Sequence, residues 1–507
     1  MTEITIAWIA LPFFLGFVIY LLPTFARWLA LAIALISAAY AFYVFWSNSA
    51  FDIQLLDNFG VSLFVDRPSA WFILTNALVT MAVVLYCWQT AKTAFFYMQL
   101  VILHGSVNAT FICSDFISLY VALEVISIAA FLLIAYSRSD RSIWVGLRYL
   151  FISNTVMLFY LIGAVLVYQA NYSFNYGGLT NAPIEAIALI FLGLLGKGGI
   201  FVSGFWLPLT HSESETPVSA MLSGVVVKAG VFPLVRLALM LEVIEPMIRG
   251  FGVATALLGV SFAIWERDTK RTLAFSTISQ LGFILVAPVV GGFYALTHGL
   301  AKSALFLIAG NLPSRSFTEL KQLKVRNWLG IALLIPCLSI SGFPLLSGFA
   351  AKVQTTENLL PWQGILMTTA TVGTAIVFAK FIFAIDFASV FSSSTAKNSV
   401  PSLSQATRKE KVNSQKPIHP SFWWAMVILL GGLIVANVAY DEAYTIKSFV
   451  KYLATIAAGW AIYLLAIDKI VIKLPRTVEQ FDHLIGVMSL VLILLFWTIW
   501  TQIQFSI

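Results

Sequence analysis

The chain reads as an all-α polytopic membrane protein of about 14–16 transmembrane helices, with two inverted five-helix repeats that each hold a broken helix. Three observations predict this. Of the 507 residues, 60% are hydrophobic and only 10% charged, against about a quarter charged in a soluble domain. Apolar runs long enough to cross a bilayer recur along the whole chain. Two of these runs are interrupted by glycine or proline at matching places in the two halves.

Length alone would suggest several soluble domains. No soluble fold hides so much apolar surface, so length is read here as span count. Lys and Arg total 30 against 23 Asp and Glu, a formal charge of +7. In a soluble protein that balance would suggest nucleic acid; here it is assigned to basic loops on one membrane face, and no nucleic-acid partner is expected. The partner surface is the lipid bilayer itself.

The first apolar run, residues 4–22, follows Glu3 with no Lys or Arg before it. It is read as a retained helix rather than a cleaved signal. The spans centre near residues 13, 36, 78, 104, 125, 158, 195, 229, 257, 281, 302, 338, 375, 430, 457 and 494. Residues 1–94 hold helices 1–3, residues 95–245 the first repeat (helices 4–8), and residues 246–390 the second, inverted repeat (helices 9–13). Residues 391–420, rich in Ser, Lys and Asn, read as a flexible cytoplasmic loop, and 421–507 as C-terminal helices. With this count, one face collects about twenty Lys and Arg and the other about five, namely Arg67, Arg249, Lys352, Lys447 and Lys451. That asymmetry places the basic loops in the cytoplasm and both termini outside.

Charges remain inside the spans: Glu124, Lys197, Lys228, Arg236, Lys302 and Lys380, with His298 one turn from Lys302. Each costs about 2.5–3.5 kcal/mol at the bilayer centre, so four lysines and a glutamate facing lipid would cost on the order of 10–15 kcal/mol. They are therefore expected to face the bundle interior. Arg236 and Lys302 lie nearer span ends, where snorkelling or a structural ion pair is an equal reading. Glu124, Lys197 and Lys228 are deeper and read as a proton or ion relay, because burial disfavours the charged form of acid and base alike. The seventh span carries five glycines around Lys197, and the twelfth carries Gly342, Pro344 and Gly348 before Lys352. A spacing of 156 residues relates Glu124 to Gln280, 155 relates Lys197 to Lys352, and 152 relates Lys228 to Lys380. Five spans separate each pair, and an odd number inverts the second unit.

Other chemistries find no signal. Cys87, Cys113 and Cys337 are far apart, against clusters, structural zinc and disulfides. GLLGKGGIF lacks the Ser or Thr that follows a phosphate-loop lysine. No dinucleotide, flavin or hydrolase motif is visible, and the five histidines lack metal-ligand spacing. No cofactor is expected. LPLTHSESETPVSA reads as a cytoplasmic-side loop in which His211 either feeds protons towards Lys197 or is simply solvated.

Residues 196–236, GKGGIFVSGFWLPLTHSESETPVSAMLSGVVVKAGVFPLVR, resemble the antiporter-like membrane subunits of respiratory complex I, its photosynthetic relative and the Mrp cation/proton antiporters. KRTLAFSTISQLGF, LTHGLAKSALFLIAGNL and SGFPLLSGFAAK follow in the family's order, so the resemblance covers about residues 95–390. It is nearest the D-type Mrp subunit. The resemblance implies proton translocation along a central hydrophilic axis. Glu124, Lys197 and Lys228 match the family's glutamate and two lysines, and His298, with Lys302 beside it, matches its eleventh-span histidine. Lys352 matches the twelfth-span lysine or glutamate. Gln280 stands where the family often has His, Thr210 where it usually has Asp, and the C-terminal helices exceed its usual complement. The function this implies is a proton-translocating subunit of a multisubunit Na⁺/H⁺ antiporter. Alternatives are a proton-pumping arm subunit of a complex I-type NAD(P)H:quinone oxidoreductase, a stand-alone solute carrier, or a structural subunit. Expected partners are other membrane subunits, H⁺ and Na⁺; the expected location is a bacterial inner membrane, or a thylakoid membrane.

Overall fold

The structure, a computed structural model, describes residues 2–47, 50–56, 60–385, 418–470, 472 and 474–506. Most of the expected cytoplasmic loop at 391–420 therefore lies outside the described residues. Every expected span centre falls within a helix. Among the described residues, thirteen helices are long and apolar enough to cross a membrane. The other expected spans fall short for separate reasons. Helix α4, Ala94–Thr110, has only 17 residues. Helix α12, Thr269–Val286, is buried at every position, so protein rather than lipid surrounds its many polar residues. The twelfth span is broken.

Helices α1 (Thr2–Leu21) and α2 (Ala26–Ser47) pack on α4 and α3 (Arg67–Tyr86). Between α2 and α3 lies an antiparallel pair of strands, β1 (Phe51–Leu56) and β2 (Gly60–Val65), which hydropathy does not reveal. Its FDIQLL and GVSLFV segments are too short to cross a bilayer. Gly60 sits at φ +112°, where a side chain would be strained. Asp66 then caps α3, accepting from the Ser69 amide at 2.9 Å.

The first repeat holds α4, α5 (Phe116–Ile134), α6 (Asp140–Asn171), the broken seventh span and the bulged eighth. Helix α7, Ile184–Gly198, stops at Gly199, whose φ of +67° suits glycine. A 3₁₀ turn, Phe201–Trp206, leads into α8, Leu207–Glu213. The break frees carbonyls in an apolar setting, and side chains answer them. Ser203 donates to the Leu195 carbonyl at 3.0 Å and Trp206 Nε1 to that of Gly196 at 3.1 Å. The eighth span runs from α9 (Thr216–Met221) through a π-bulge at Leu222–Val226 into α10 (Lys228–Met240).

The second repeat begins with α11 (Glu245–Trp265), packed closely on α12 through Gly252, Gly259 and Gly282. Helix α13, Gly291–Ala309, is buried throughout and touches α3, α9 and α12. After the short α14 (Phe317–Leu320), the twelfth span divides into α15 (Asn327–Ser341) and α16 (Ser347–Glu357), with Gly342 at φ +88°. Helix α17 is Pro361–Phe383. The last three helices take different seats. Helix α18 (Pro420–Asn437) packs on α3 and α13, α19 (Ile446–Leu465) on α17, and α20 (Phe481–Ser506) on α7.

One spacing argument needs correction. Glu124 and Gln280 lie on the second helix of each repeat, and Lys228 and Lys380 on the fifth. Lys197 and Lys352 do not correspond, because Lys197 precedes its break and Lys352 follows the other.

Candidate functional site

The buried polar groups form three clusters along the bundle interior. In the first, Lys197 occupies the last turn of α7, where the break ends the helix. Its ammonium donates to Ser127 of α5 and, at 2.6 Å, to Ser153 of α6. The two hydroxyls are 2.9 Å apart. Glu124 is one turn before Ser127 on α5, half-buried, near enough to act on Lys197 electrostatically. It makes no ion pair with Lys197, and its Oε1 is buried without a hydrogen-bond partner. Lys197 is thus held by two serine hydroxyls and not by the carboxylate of Glu124. Ser127 and Ser153 carried no sequence signal, since serines facing helices are common.

In the second cluster, the π-bulge loosens the backbone ladder just before Lys228. The fully buried Lys228 ammonium takes the carbonyl of Gly224 at 2.5 Å. It faces α13, because a methyl on Gly299 would sit 3.5 Å from its Nζ. His298, one residue earlier, is acted on electrostatically by both Lys228 and Lys302. Neither ring nitrogen of His298 has a hydrogen-bond partner. Lys302, taken from sequence as lying near a span end, is instead fully buried in α13, donating to the Leu273 carbonyl at 3.0 Å. Snorkelling is therefore closed to it.

In the third cluster, Lys352 is only 2% exposed and has no hydrogen-bond partner; the Phe283 ring lies 4.8 Å away. Counting it as a loop charge was wrong, since it sits in the second half of the broken span. Gln280 is instead fully engaged, accepting from Tyr294 at 2.6 Å and donating to Thr374 at 3.3 Å. Lys380 ends the series, bound to carbonyls at the end of α11.

The segment holding His211 is not a loop. It is α8, the continuation of the seventh span, and His211 is fully buried and stacked on Phe306 at 4.7 Å. Both its nitrogens lack partners. Apolar residues on either side of THSESE carry it inward, while Glu213 and Glu215 reach Arg141 and Lys92 at the surface. His104 makes the contrast, with Ser37 at 2.8 Å and Thr80 at 2.9 Å on its two nitrogens. It is a structural histidine. Arg236 is likewise structural, held in a bidentate pair by Asp66, with Ser69 at 2.7 Å.

On the basic face, Arg271 bridges Glu266 and Glu479, and Arg148 reaches the Glu479 carbonyl. Arg148 and Arg271, which belong to the basic face's expected loop charges, instead lie within α6 and α12, and their partners are up to 331 positions away in the chain. Among the described residues, no three His, Cys, Asp or Glu side chains gather as metal ligands.

Two interrupted spans and several lysines buried in the bundle interior define a polytopic membrane protein. The NADH:quinone oxidoreductase/Mrp antiporter transmembrane family matches residues 113–378, and the chain belongs to it. It is 27% identical to the D-type subunit of the Na⁺/H⁺ antiporter of Alkalihalophilus pseudofirmus, over 58% of this chain and 66% of that one. It is 29% identical to hydrogenase-4 component B of Escherichia coli, over 59% of this chain and 51% of that one. It is 28% identical to the NAD(P)H-quinone oxidoreductase chain 4-2 of Synechocystis, over 68% and 69%. The match thus spans about half to two thirds of the first two relatives. The fold is shared with the Mrp complex from Dietzia, at TM-score 0.73 and 20% identity over 99% of this chain and 60% of that one. It is also shared with the archaeal membrane-bound sulfane sulfur reductase, at TM-score 0.71 and 20% identity over 90% of this chain and all of that one.

Proposed function

We propose that the chain is the proton-translocating subunit of a multisubunit Na⁺/H⁺ antiporter in a bacterial cell membrane, with protons relayed through Glu124, Lys197, Lys228, His298, Lys302 and Lys352. One observation carries the reading. His298 and Lys352 are buried titratable groups without hydrogen-bond partners, as is the Oε1 of half-buried Glu124, and they are interleaved with lysines that hold only neutral ligands. Buried polar groups are normally satisfied by protein or by ordered water, and a line of them filled by water conducts protons. A purely structural bundle would pair them, as it pairs Arg236 with Asp66.

Glu124 supports the assignment of partners. It is half-buried on α5 beside Val121 and Ile128, which are 55% and 53% exposed. A carboxyl at a lipid-facing edge is costly, and an adjoining membrane subunit over α5 removes that cost. The test is proton flux in everted vesicles containing the assembled complex. Adding NaCl should dissipate a preformed pH gradient in the wild type and not in Lys197→Ala. A gradient unmoved by Na⁺ but built by NAD(P)H oxidation would favour the second reading, a proton-pumping arm of a quinone oxidoreductase. Resemblance to an NAD(P)H-quinone oxidoreductase chain 4 keeps that reading open.

A further inference from the structure

Lys380 lies near the end of α17, where its ammonium donates to the carbonyls of Ala263 at 2.9 Å, Ile264 at 3.1 Å and Glu266 at 2.5 Å. These end α11 and have no partner within that helix. A lysine there could serve as a helix cap and nothing more. A second observation exceeds capping. Lys380 also lines a 280 Å³ cavity on the basic face, with Arg267, Phe317, Lys321, Tyr463 and Asp468 in its wall. The turn Ile467–Lys469, just after α19, forms the outer edge. Its Asp468 pairs with Lys321 and accepts from Tyr463 at 2.8 Å. The same linker carries Glu479 to Arg271, which also grips the Glu266 carboxylate. The carbonyl of that glutamate receives Lys380. The connection between the last two helices therefore touches the Lys380 site from two sides.

We propose that this cavity is an aqueous port through which protons reach Lys380 from the basic face, with the α19–α20 linker as its lip and Asp468 as the residue that positions it. Three basic side chains, Arg267, Lys321 and Lys380, face the cavity. Glu266 is engaged by Arg271, and Asp468 is shared between Lys321 and Tyr463. A hydrated metal cation is repelled by such a wall, whereas a proton passes along water by transfer. That protons are the cargo rests on the translocation reading above; access to Lys380 does not.

The test uses Lys380→Cys in the assembled complex, since Cys87, Cys113 and Cys337 are all buried. A membrane-impermeant, anionic sulfonatoethyl methanethiosulfonate, which the basic wall attracts, is added to everted vesicles, where the basic face is expected to point outward. Right-side-out vesicles are the opposite-face control. Mass spectrometry should show labelling from the basic face only, at least tenfold faster when Asp468→Asn is added. The aminoethyl reagent rebuilds an ammonium, as the thiolate forms a mixed disulfide and methanesulfinate leaves, and it should restore most of the proton flux that Lys380→Cys loses. If Lys380→Cys fails to assemble, Ile264→Cys, in the same cavity wall, gives the labelling result. No labelling from the basic face, a rate indifferent to Asp468, or labelling without recovery of flux each overturns the port. Wild-type complex without Na⁺-driven proton flux would instead overturn the antiport reading, and the labelling result would stand.

Discussion

The Lys197 ammonium donates to the Ser153 hydroxyl at 2.6 Å and to Ser127, and not to Glu124, which lies one turn before Ser127 on α5. A direct ion pair would hold the proton on lysine and make its release slow. Neutral hydroxyls hold the ammonium while leaving Glu124 to act through the field alone. Hydrogen bonds to a charged group contribute about 1.5–3 kcal/mol each. The double variant Ser127→Ala/Ser153→Ala should therefore lower proton flux at least about tenfold, with the complex still assembled. Glu124→Ala should bring flux near background, and Glu124→Gln should not rescue it, because an amide carries no field of that sign. Flux in everted vesicles decides; wild-type rates in the serine double variant would remove the serines from the relay.

The second repeat is predicted to behave asymmetrically. Lys352 has no hydrogen-bond partner, whereas Gln280 is tied to Tyr294 and Thr374. Lys352→Ala should abolish flux. Gln280→Ala should keep most of it and lower thermal stability by about 1–3 kcal/mol through the orphaned Tyr294 hydroxyl. Greater transport damage from Gln280→Ala would reverse this assignment.

Gly299→Ala tests the middle cluster without touching a titratable group. The added methyl would press on Thr75 and stand 3.5 Å from the Lys228 Nζ. The expected result is a large loss of flux with assembly retained. Full flux would mean that Lys228 and His298 do not communicate across this contact.

Arg236 and Asp66 should prove structural. Removing one partner of a buried pair costs about 3–5 kcal/mol. Asp66→Ala should therefore lower the thermal midpoint and yield of the purified protein while leaving flux per folded molecule near wild type. A folded, stable variant with no flux would move the pair into the relay.

Glu266 predicts a pH dependence of stability. Burial opposes its charge, but Arg271 and the amides of Arg267 and Asp268 outweigh burial and hold its carboxyl below the usual carboxylate range. A carboxyl depressed on folding stabilises fully above its ordinary value, 4.5, and loses that contribution as pH falls through the lower folded value. The thermal midpoint should drop between pH 5 and lower pH in the wild type, and drop less in Glu266→Gln. An equal drop in both would place the acid sensitivity elsewhere.

The sequence by itself determined the class of protein, the order of its apolar spans, the two interrupted spans and several of the buried or half-buried titratable residues, Glu124, Lys197, Lys228 and His298 among them. Each of these follows from local physics: an apolar run must span, a glycine-rich run must break, and a lysine inside a span must turn away from lipid. The tertiary structure decided which groups meet. Lys197 found serines on two other helices rather than the glutamate, Lys302 proved central, His211 was drawn into α8, and Arg236 was claimed by Asp66. It also set Lys197 and Lys352 on opposite sides of their breaks and brought Glu479 to Arg271 across 208 positions. Hydropathy records whether a side chain leaves the lipid, but not its partner. That choice depends on helix rotation and crossing, which are fixed by close glycine contacts between elements far apart in the chain.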